Sequence, residues 1–101
     1  MLYFKLVRDR IPERLQRKGV QHSVMQITKD DPSYEEMLMR KLEEEIVEFR
    51  REGSVDELAD VMAVIRAIRR LPKFADAEKI EIKKQVSHGG FTKGFILISA
   101  T

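Results

Sequence analysis

The fold is decided by residues 32–71, which read PSYEEMLMRKLEEEIVEFRREGSVDELADVMAVIRAIRRL. In the first half, apolar residues recur every three or four positions, which is the period of one face of an α-helix. The second half carries a wider apolar arc, and Gly53 and Ser54 between them are typical of a helix end and a helix start. The stretch predicts a helix over residues 32–52 and another from residue 55 to about Leu71, where Pro72 ends it. Because the intervening turn is short, we expect the two helices to be antiparallel neighbours.

Shorter elements are predicted before this hairpin. Residues 2–7 are rich in aromatic and β-branched side chains, as in a strand. Asp9 and Pro12 then predict a short helix, with Asp9 as a candidate N-cap and an end near Lys18. Residues 23–28 alternate loosely between apolar and polar side chains, which indicates only a weak strand.

After the hairpin, the sequence predicts one more helix and one more strand. The helix covers roughly residues 76–87 and ends at Gly89 and Gly90. Residues 95–98 form an apolar run that can pair, as a strand, with residues 2–7. The expected fold class is mainly α: an antiparallel helical bundle with short N- and C-terminal β-strands, in a single domain over residues 1–101.

The composition narrows the class of protein. The chain has 101 residues, 43% of them hydrophobic and 36% charged, so it is too apolar for a disordered chain and too charged for a membrane span. The longest purely apolar run, residues 95–98, is far shorter than the ~20 residues that a membrane-spanning helix needs. The absence of cysteine excludes disulfides and thiolate metal sites, and it fits a cytoplasmic location, which we expect.

The charge is unevenly distributed along the chain. The net charge is +2, but residues 35–60 contain ten acidic and only four basic residues. The pI of about 9.0 would ordinarily suggest a nucleic-acid partner, yet this acidic block interrupts any continuous basic face. We therefore expect no specific nucleic-acid partner. A magnesium-bound polyphosphate, which is anionic and brings its own cation, suits this distribution better.

Two pairs of carboxylates stand out within the acidic block. Glu45 and Glu48 are three residues apart on the first long helix, and Glu57 and Asp60 are three apart on the second. Positions i and i+3 are neighbours on a helix surface, so the antiparallel hairpin can bring all four carboxylates together. Glu45 also falls in the middle of the apolar stripe, where an unpaired charge is costly. Oxygen ligands in this number suit Mg²⁺, with Mn²⁺ as an alternative.

A purely structural interpretation of the same residues stays open. A glutamate-rich helix is usually a solvated face that carries ion pairs between neighbouring turns. Ser54 and Glu57 have the spacing of a capping box, which would explain Glu57 without any chemistry. Asp60 can be paired with a nearby lysine or arginine.

These residues resemble the signature of the MazG-like family of all-α nucleotide pyrophosphohydrolases. Two adjacent glutamates, two spacers and a glutamate are followed on the next helix by a glutamate, two spacers and an aspartate; the positions that match are Glu44, Glu45, Glu48, Glu57 and Asp60. The resemblance extends to both ends of the chain. Residues 5–12 resemble the N-terminal segment of small phosphoribosyl-ATP pyrophosphohydrolase-like members, and residues 84–91 resemble their C-terminal Lys, three spacers, Arg-Gly-Gly-Phe element.

The chain departs from the family pattern at two points. The interval between Glu48 and Glu57 is eight residues, shorter than in many MazG proteins, which suggests a subgroup with a tight hairpin. His88 stands where the C-terminal element has arginine. If that position contacts phosphate, His88 does so as a weaker donor, charged only when protonated. The alternative is that His88 is a surface residue that stabilises the end of a helix.

The resemblance implies Mg²⁺-dependent hydrolysis of a nucleoside triphosphate to the monophosphate and pyrophosphate. Glu45, Glu48, Glu57 and Asp60 would be the metal ligands, and Glu44 is the candidate to orient the attacking water. The candidates for binding the phosphates of the substrate are basic residues near the two ends of the chain, which can equally be ordinary surface charges: Lys5, Arg8, Lys84 and His88.

Assembly and rival functions complete the expectations. Apolar arcs this wide predict a homodimer or homotetramer, as in related bundles. The first rival function is that of a true phosphoribosyl-ATP pyrophosphohydrolase of histidine biosynthesis, and the second is a non-catalytic helical interaction module. A third and weaker rival is nucleic-acid binding, suggested by the basic residues near the end of the third helix, Arg66, Arg69, Arg70 and Lys73.

Overall fold

The computed structural model describes residues 4–101 of the chain. The described part contains four α-helices and one short 3-10 turn, and it confirms the mainly α class. The helices are α1 (Ile11–Arg17), α2 (Pro32–Glu52), α3 (Val55–Arg69) and α4 (Ala77–His88), and the 3-10 turn is Pro72–Phe74, between α3 and α4.

The hairpin of α2 and α3 forms where the sequence predicts it, because both of its inner ends are capped. Gly53 ends α2 in the left-handed conformation, with φ of 61°, and its N–H donates to the carbonyl oxygen of Phe49 at 2.7 Å. Ser54 begins α3, since its hydroxyl oxygen accepts a hydrogen bond from the N–H of Glu57 at 3.2 Å. With only two residues between them, the helices pack side by side in opposite directions.

The core lies between the two long helices, at the end of the hairpin away from the turn. Leu38 of α2, which is 2% exposed, meets Val64 of α3 and Leu71 just beyond it. Leu6 packs against this cluster, so the segment before α1 crosses the hairpin. This crossing places the neighbouring basic residues over the acidic part of α2 and α3.

The predicted terminal strands are not found within residues 4–101. Part of the first one, residues 2 and 3, lies outside the described residues, and its remainder forms no ladder. Residues 95–98 are more than 80% exposed and have no strand partner in the described part of the chain. The weak strand predicted over residues 23–28 is also absent. A strand needs a neighbour to complete its hydrogen bonds, and none of these segments has such a neighbour among residues 4–101.

The start of α1 differs from the expectation as well. Arg10 occupies the N-cap position and no side chain caps the helix, so the prediction of Asp9 as the cap was wrong. Pro12 in the first turn accounts for the start of the helix by itself, because proline needs no hydrogen-bond acceptor there.

Helix α4 and the segment after it extend away from the hairpin. The side chains of Arg69 and Glu78 form an ion pair of 2.7 Å across the α3–α4 connection, but α4 has no buried residue. The radius of gyration is 17.9 Å, against about 13 Å for a compact domain of this length. The antiparallel packing that the sequence predicts is therefore found between α2 and α3, while α4 remains outside it.

No helix within residues 4–101 combines the length and the apolar character that crossing a membrane requires.

Candidate metal centre

Three carboxylates converge beside the turn of the hairpin. One oxygen each from Glu45, Glu57 and Asp60 lies within 4.8 Å of the other two. Glu45 is buried and the other two are half-buried. The helix periods explain the convergence: Glu57 and Asp60 lie on one face of the first turns of α3, and Glu45 faces them from the last part of α2. These three residues are called the carboxylate cluster below.

Two of the three carboxylates have a basic partner. Lys41 Nζ lies 3.2 Å from Glu45 Oε1, and Arg8 Nη2 donates to Asp60 Oδ1 at 2.8 Å. Glu57 has no ion pair with any residue in the range 4–101. The cluster thus keeps one uncompensated carboxylate among three.

The electrostatics of Glu57 reflect this surplus of negative charge. Partial burial raises the pKa of the Glu57 carboxyl above its ordinary value, and the charges of Asp60, Glu48 and Glu45 raise this pKa further. The ionised form of Glu57 is therefore less favoured here than it is in an isolated glutamate. A divalent cation at this point would relieve the same repulsion.

Glu48, the fourth predicted ligand, lies outside the cluster. Its carboxylate is paired with Arg51, one turn further along α2. It still contributes to the raised pKa of Glu57, so it is close enough to act on the cluster electrostatically. The structure thus brings three of the four predicted ligands together and turns the fourth towards an arginine.

Glu44 lies outside the carboxylate cluster and contacts two lysines, one of which it shares with Glu45. Its Oε1 lies 3.3 Å from Lys41 Nζ and 3.6 Å from Lys5 Nζ. Lys5 and Arg8 come from the segment that crosses the hairpin, so both of these predicted substrate-binding residues reach carboxylates of the acidic block.

The two predicted phosphate-binding residues of α4 form no bond with the carboxylate cluster in the described part of the chain. Lys84 and His88 are exposed, and within residues 4–101 neither bonds to a carboxylate of the hairpin. The hydrogen bond of His88 is local, between its Nδ1 and the hydroxyl of Ser87 at 2.7 Å. In one copy of the chain, α4 contributes nothing to this site.

Sequence reasoning missed Lys41 as a member of the site. The signal was its spacing: it precedes Glu44 by three residues and Glu45 by four, so one side chain can reach both on the same helix face. Only the fold shows that this face is covered.

A separate opening lies at the far end of the hairpin. A cavity of about 280 Å³ is bordered by the start of α2, the end of α3 and the segment before α1; the residues that line it are Asp9, Lys29, Tyr34, Ala67, Arg70 and Leu71. None of the three clustered carboxylates lines it, so the candidate centre and this cavity are distinct features.

The chemistry available at the cluster is that of hard oxygen donors. Three carboxylates within reach of one point, one of them buried, suit Mg²⁺ or Mn²⁺ more than a softer metal. A scan against protein-family models finds no match to the chain, and searches of curated proteins and of solved structures find no significant match either.

Proposed function

We propose that the chain is a Mg²⁺-dependent nucleoside triphosphate pyrophosphohydrolase acting in the cytoplasm. The reaction adds water across the anhydride bond between the α- and β-phosphates and yields the monophosphate and pyrophosphate. The observation that carries the proposal is the convergence of Glu45, Glu57 and Asp60 within 4.8 Å. The resemblance of the same residues to the MazG-like signature supports it.

The donor set fits the proposed cation. Glu45, Glu57 and Asp60 would hold it, and Glu48 would join them on releasing Arg51. When bound, Mg²⁺ offsets the negative charge of the phosphate oxygens and the charge that develops in the transition state.

The remaining roles fall to other side chains of the hairpin and of the segment that crosses it. Glu44 would orient the attacking water by accepting its hydrogen bond. Arg8 and Lys5, already beside the acidic block, would bind the phosphates.

One observation favours a second candidate, a non-catalytic helical module. Three carboxylates of the predicted ligand set already have a basic partner: Glu45 with Lys41, Glu48 with Arg51 and Asp60 with Arg8. In that case the acidic residues would only stabilise the hairpin through these ion pairs. The unpaired Glu57 and its raised pKa are what this alternative leaves unexplained.

The two candidates are separated by an assay of pyrophosphate release. A panel of standard and damaged nucleoside triphosphates, together with phosphoribosyl-ATP, is incubated with and without Mg²⁺, and the products are typed as pyrophosphate or phosphate. Hydrolysis of phosphoribosyl-ATP alone would identify the histidine-pathway rival.

The decisive variant is Glu45→Gln. We expect at least about a 100-fold loss of turnover with the helical circular dichroism retained, because one charged ligand is removed without loss of volume. Glu43→Gln, an exposed change on the same helix, is the control and should leave turnover unchanged. No turnover by the wild type, together with a stability gain in Glu45→Gln, would favour the structural module.

We further propose that the chain assembles as a homodimer or homotetramer. Leu58, Met62 and Ile65 recur at helical spacing on α3 and are 42%, 53% and 42% exposed. A second copy would cover this face and would give α4 a surface to pack on. In the assembly, the predicted terminal strands would find the partners they lack in one copy.

A further inference from the structure

Lys41 is a largely buried cation bound to two carboxylates with different proposed roles. Its side chain is 16% exposed, and its Nζ lies 3.3 Å from Glu44 Oε1 and 3.2 Å from Glu45 Oε1. The side chain of Glu45 is itself only 12% exposed. Glu45 belongs to the carboxylate cluster, whereas Glu44 lies outside it.

The burial separates this contact from an ordinary pair on a helix surface. Arg40 and Glu36 form such a pair on the same helix, at 3.2 Å and with the same four-residue spacing, but both side chains are more than 60% exposed. Exposed pairs of this kind contribute little to stability, because water screens the two charges. Taking a lysine ammonium out of water is costly unless acceptors replace its hydration, and here two carboxylates lie within 3.3 Å of it.

One ammonium group therefore fixes the relative position of two adjacent carboxylates. Its Nζ donates a hydrogen bond to Glu44 at 3.3 Å and is ion-paired with one oxygen of Glu45 at 3.2 Å. A carboxylate has two oxygens, so this contact does not exclude Glu45 from binding a cation. The same ammonium gives Glu44 a partner outside the cluster, although Glu44 and Glu45 are adjacent in the chain. A lysine ammonium has no lone pair, so it cannot itself be a metal ligand.

We propose that Lys41 is a positioning residue that keeps Glu44 apart from the metal ligand Glu45 and free to orient water. This inference rests on the proposed function. It adds a residue that neither the carboxylate pattern nor the resemblance assigns. Lys41 acts through Glu44 and Glu45 and does not touch the substrate.

The test compares turnover with metal binding in Lys41→Met. We expect kcat to fall roughly 10- to 100-fold, because small misplacements at a reacting centre have effects of that size. KM for the nucleotide should change less than kcat. Mn²⁺ alone, measured by titration calorimetry, should bind at least as tightly as in the wild type, since a positive charge beside its ligands is removed.

Three further variants sharpen the test. Lys41→Arg keeps the charge and should retain more turnover than Lys41→Met. Lys41→Gln keeps a hydrogen-bond donor and takes the place of Lys41→Met if the latter does not fold. Arg40→Met removes a cation with the same spacing from the exposed pair, and it should leave both kcat and Mn²⁺ binding unchanged.

Other results would contradict either the role of Lys41 or the proposed function. If Lys41→Met behaves like Arg40→Met, or if it weakens Mn²⁺ binding and turnover in parallel, Lys41 has no positioning role. An inactive wild type that binds no Mn²⁺ overturns the proposed function, and the role of Lys41 with it. The two failures are distinguishable because only the second is seen in the wild type.

Discussion

At the scale of single residues, the site combines one buried carboxylate with two half-buried ones. The arrangement is tolerable without metal because Lys41 and Arg8 offset two of the charges. Partial burial raises the pKa of Glu57, and the unrelieved repulsion from the neighbouring carboxylates raises this pKa further. Side chains that repel one another at a fixed distance are a cost to folding, and such a cost is typical of a binding site.

This repulsion predicts that the contribution of Glu57 to the free energy of unfolding depends on pH. In metal-free buffer the folded chain holds the Glu57 proton more tightly than the unfolded chain does, so this residue lowers stability as pH rises through its folded pKa. The free energy of unfolding of Glu57→Gln, relative to the wild type, should therefore increase from about pH 4 to about pH 7. Urea denaturation in the presence of EDTA measures it.

Two controls accompany the Glu57→Gln experiment: added Mg²⁺ and a substitution at an exposed glutamate outside the cluster. Saturating Mg²⁺ should stabilise the wild type more than Glu57→Gln, since only the wild type keeps the third charged ligand. Glu43→Gln should show no change with pH relative to the wild type. A flat difference for Glu57→Gln as well would mean that its carboxylate is not under repulsion.

At the scale of elements, the α2–α3 hairpin decides whether a site exists at all. Its bounds follow from local chemistry: Asp31 accepts from the N–H of Ser33 at 2.8 Å to start α2, Gly53 ends it and Ser54 starts α3. These signals can be read from the sequence, so the hairpin was predictable within two residues. The terminal strands were not, because a strand depends on a partner that local sequence does not specify.

The turn itself supplies a prediction at this scale. Gly53→Ala should lower the free energy of unfolding by about 1 kcal/mol, because a side chain at φ of 61° is strained although there is space for it. Gly90→Ala, at a glycine without positive φ and with equal space, should have little effect. Chemical denaturation measures both. Equal stabilities of the two variants would show that the left-handed turn is not needed.

At the scale of the whole molecule, the single chain leaves much apolar surface uncovered. The outer face of α3, which carries Leu58, Met62 and Ile65, is exposed. The segment at 95–98 is exposed as well, and α4 has no buried residue. A helix stabilised neither by strong amphipathic packing nor by neighbours is marginal in water. This is the physical ground for the proposed assembly.

The assembly predicts the behaviour of Met62→Glu. Placing a charge in the middle of the outer face of α3 should raise the dissociation constant of the oligomer at least about tenfold, equivalent to about 1.4 kcal/mol. Sedimentation velocity over a range of concentrations measures it. Met25→Glu, the same change at a 77% exposed loop position, is the control. A wild type that sediments as a monomer at micromolar concentration would contradict the assembly.

The sequence by itself determined the helices, the turn between them and the spacing that sets the carboxylates three residues apart, since all of these depend on neighbours within four or five positions. Only the tertiary structure decided which carboxylates meet. Glu45 lies with Glu57 and Asp60, whereas Glu48, three residues further along α2, is paired with Arg51. Tertiary packing also buried Lys41 against Glu44 and Glu45. The reason is that burial and cross-helix distance depend on how two surfaces pack, and a helical period specifies only the face on which a residue lies.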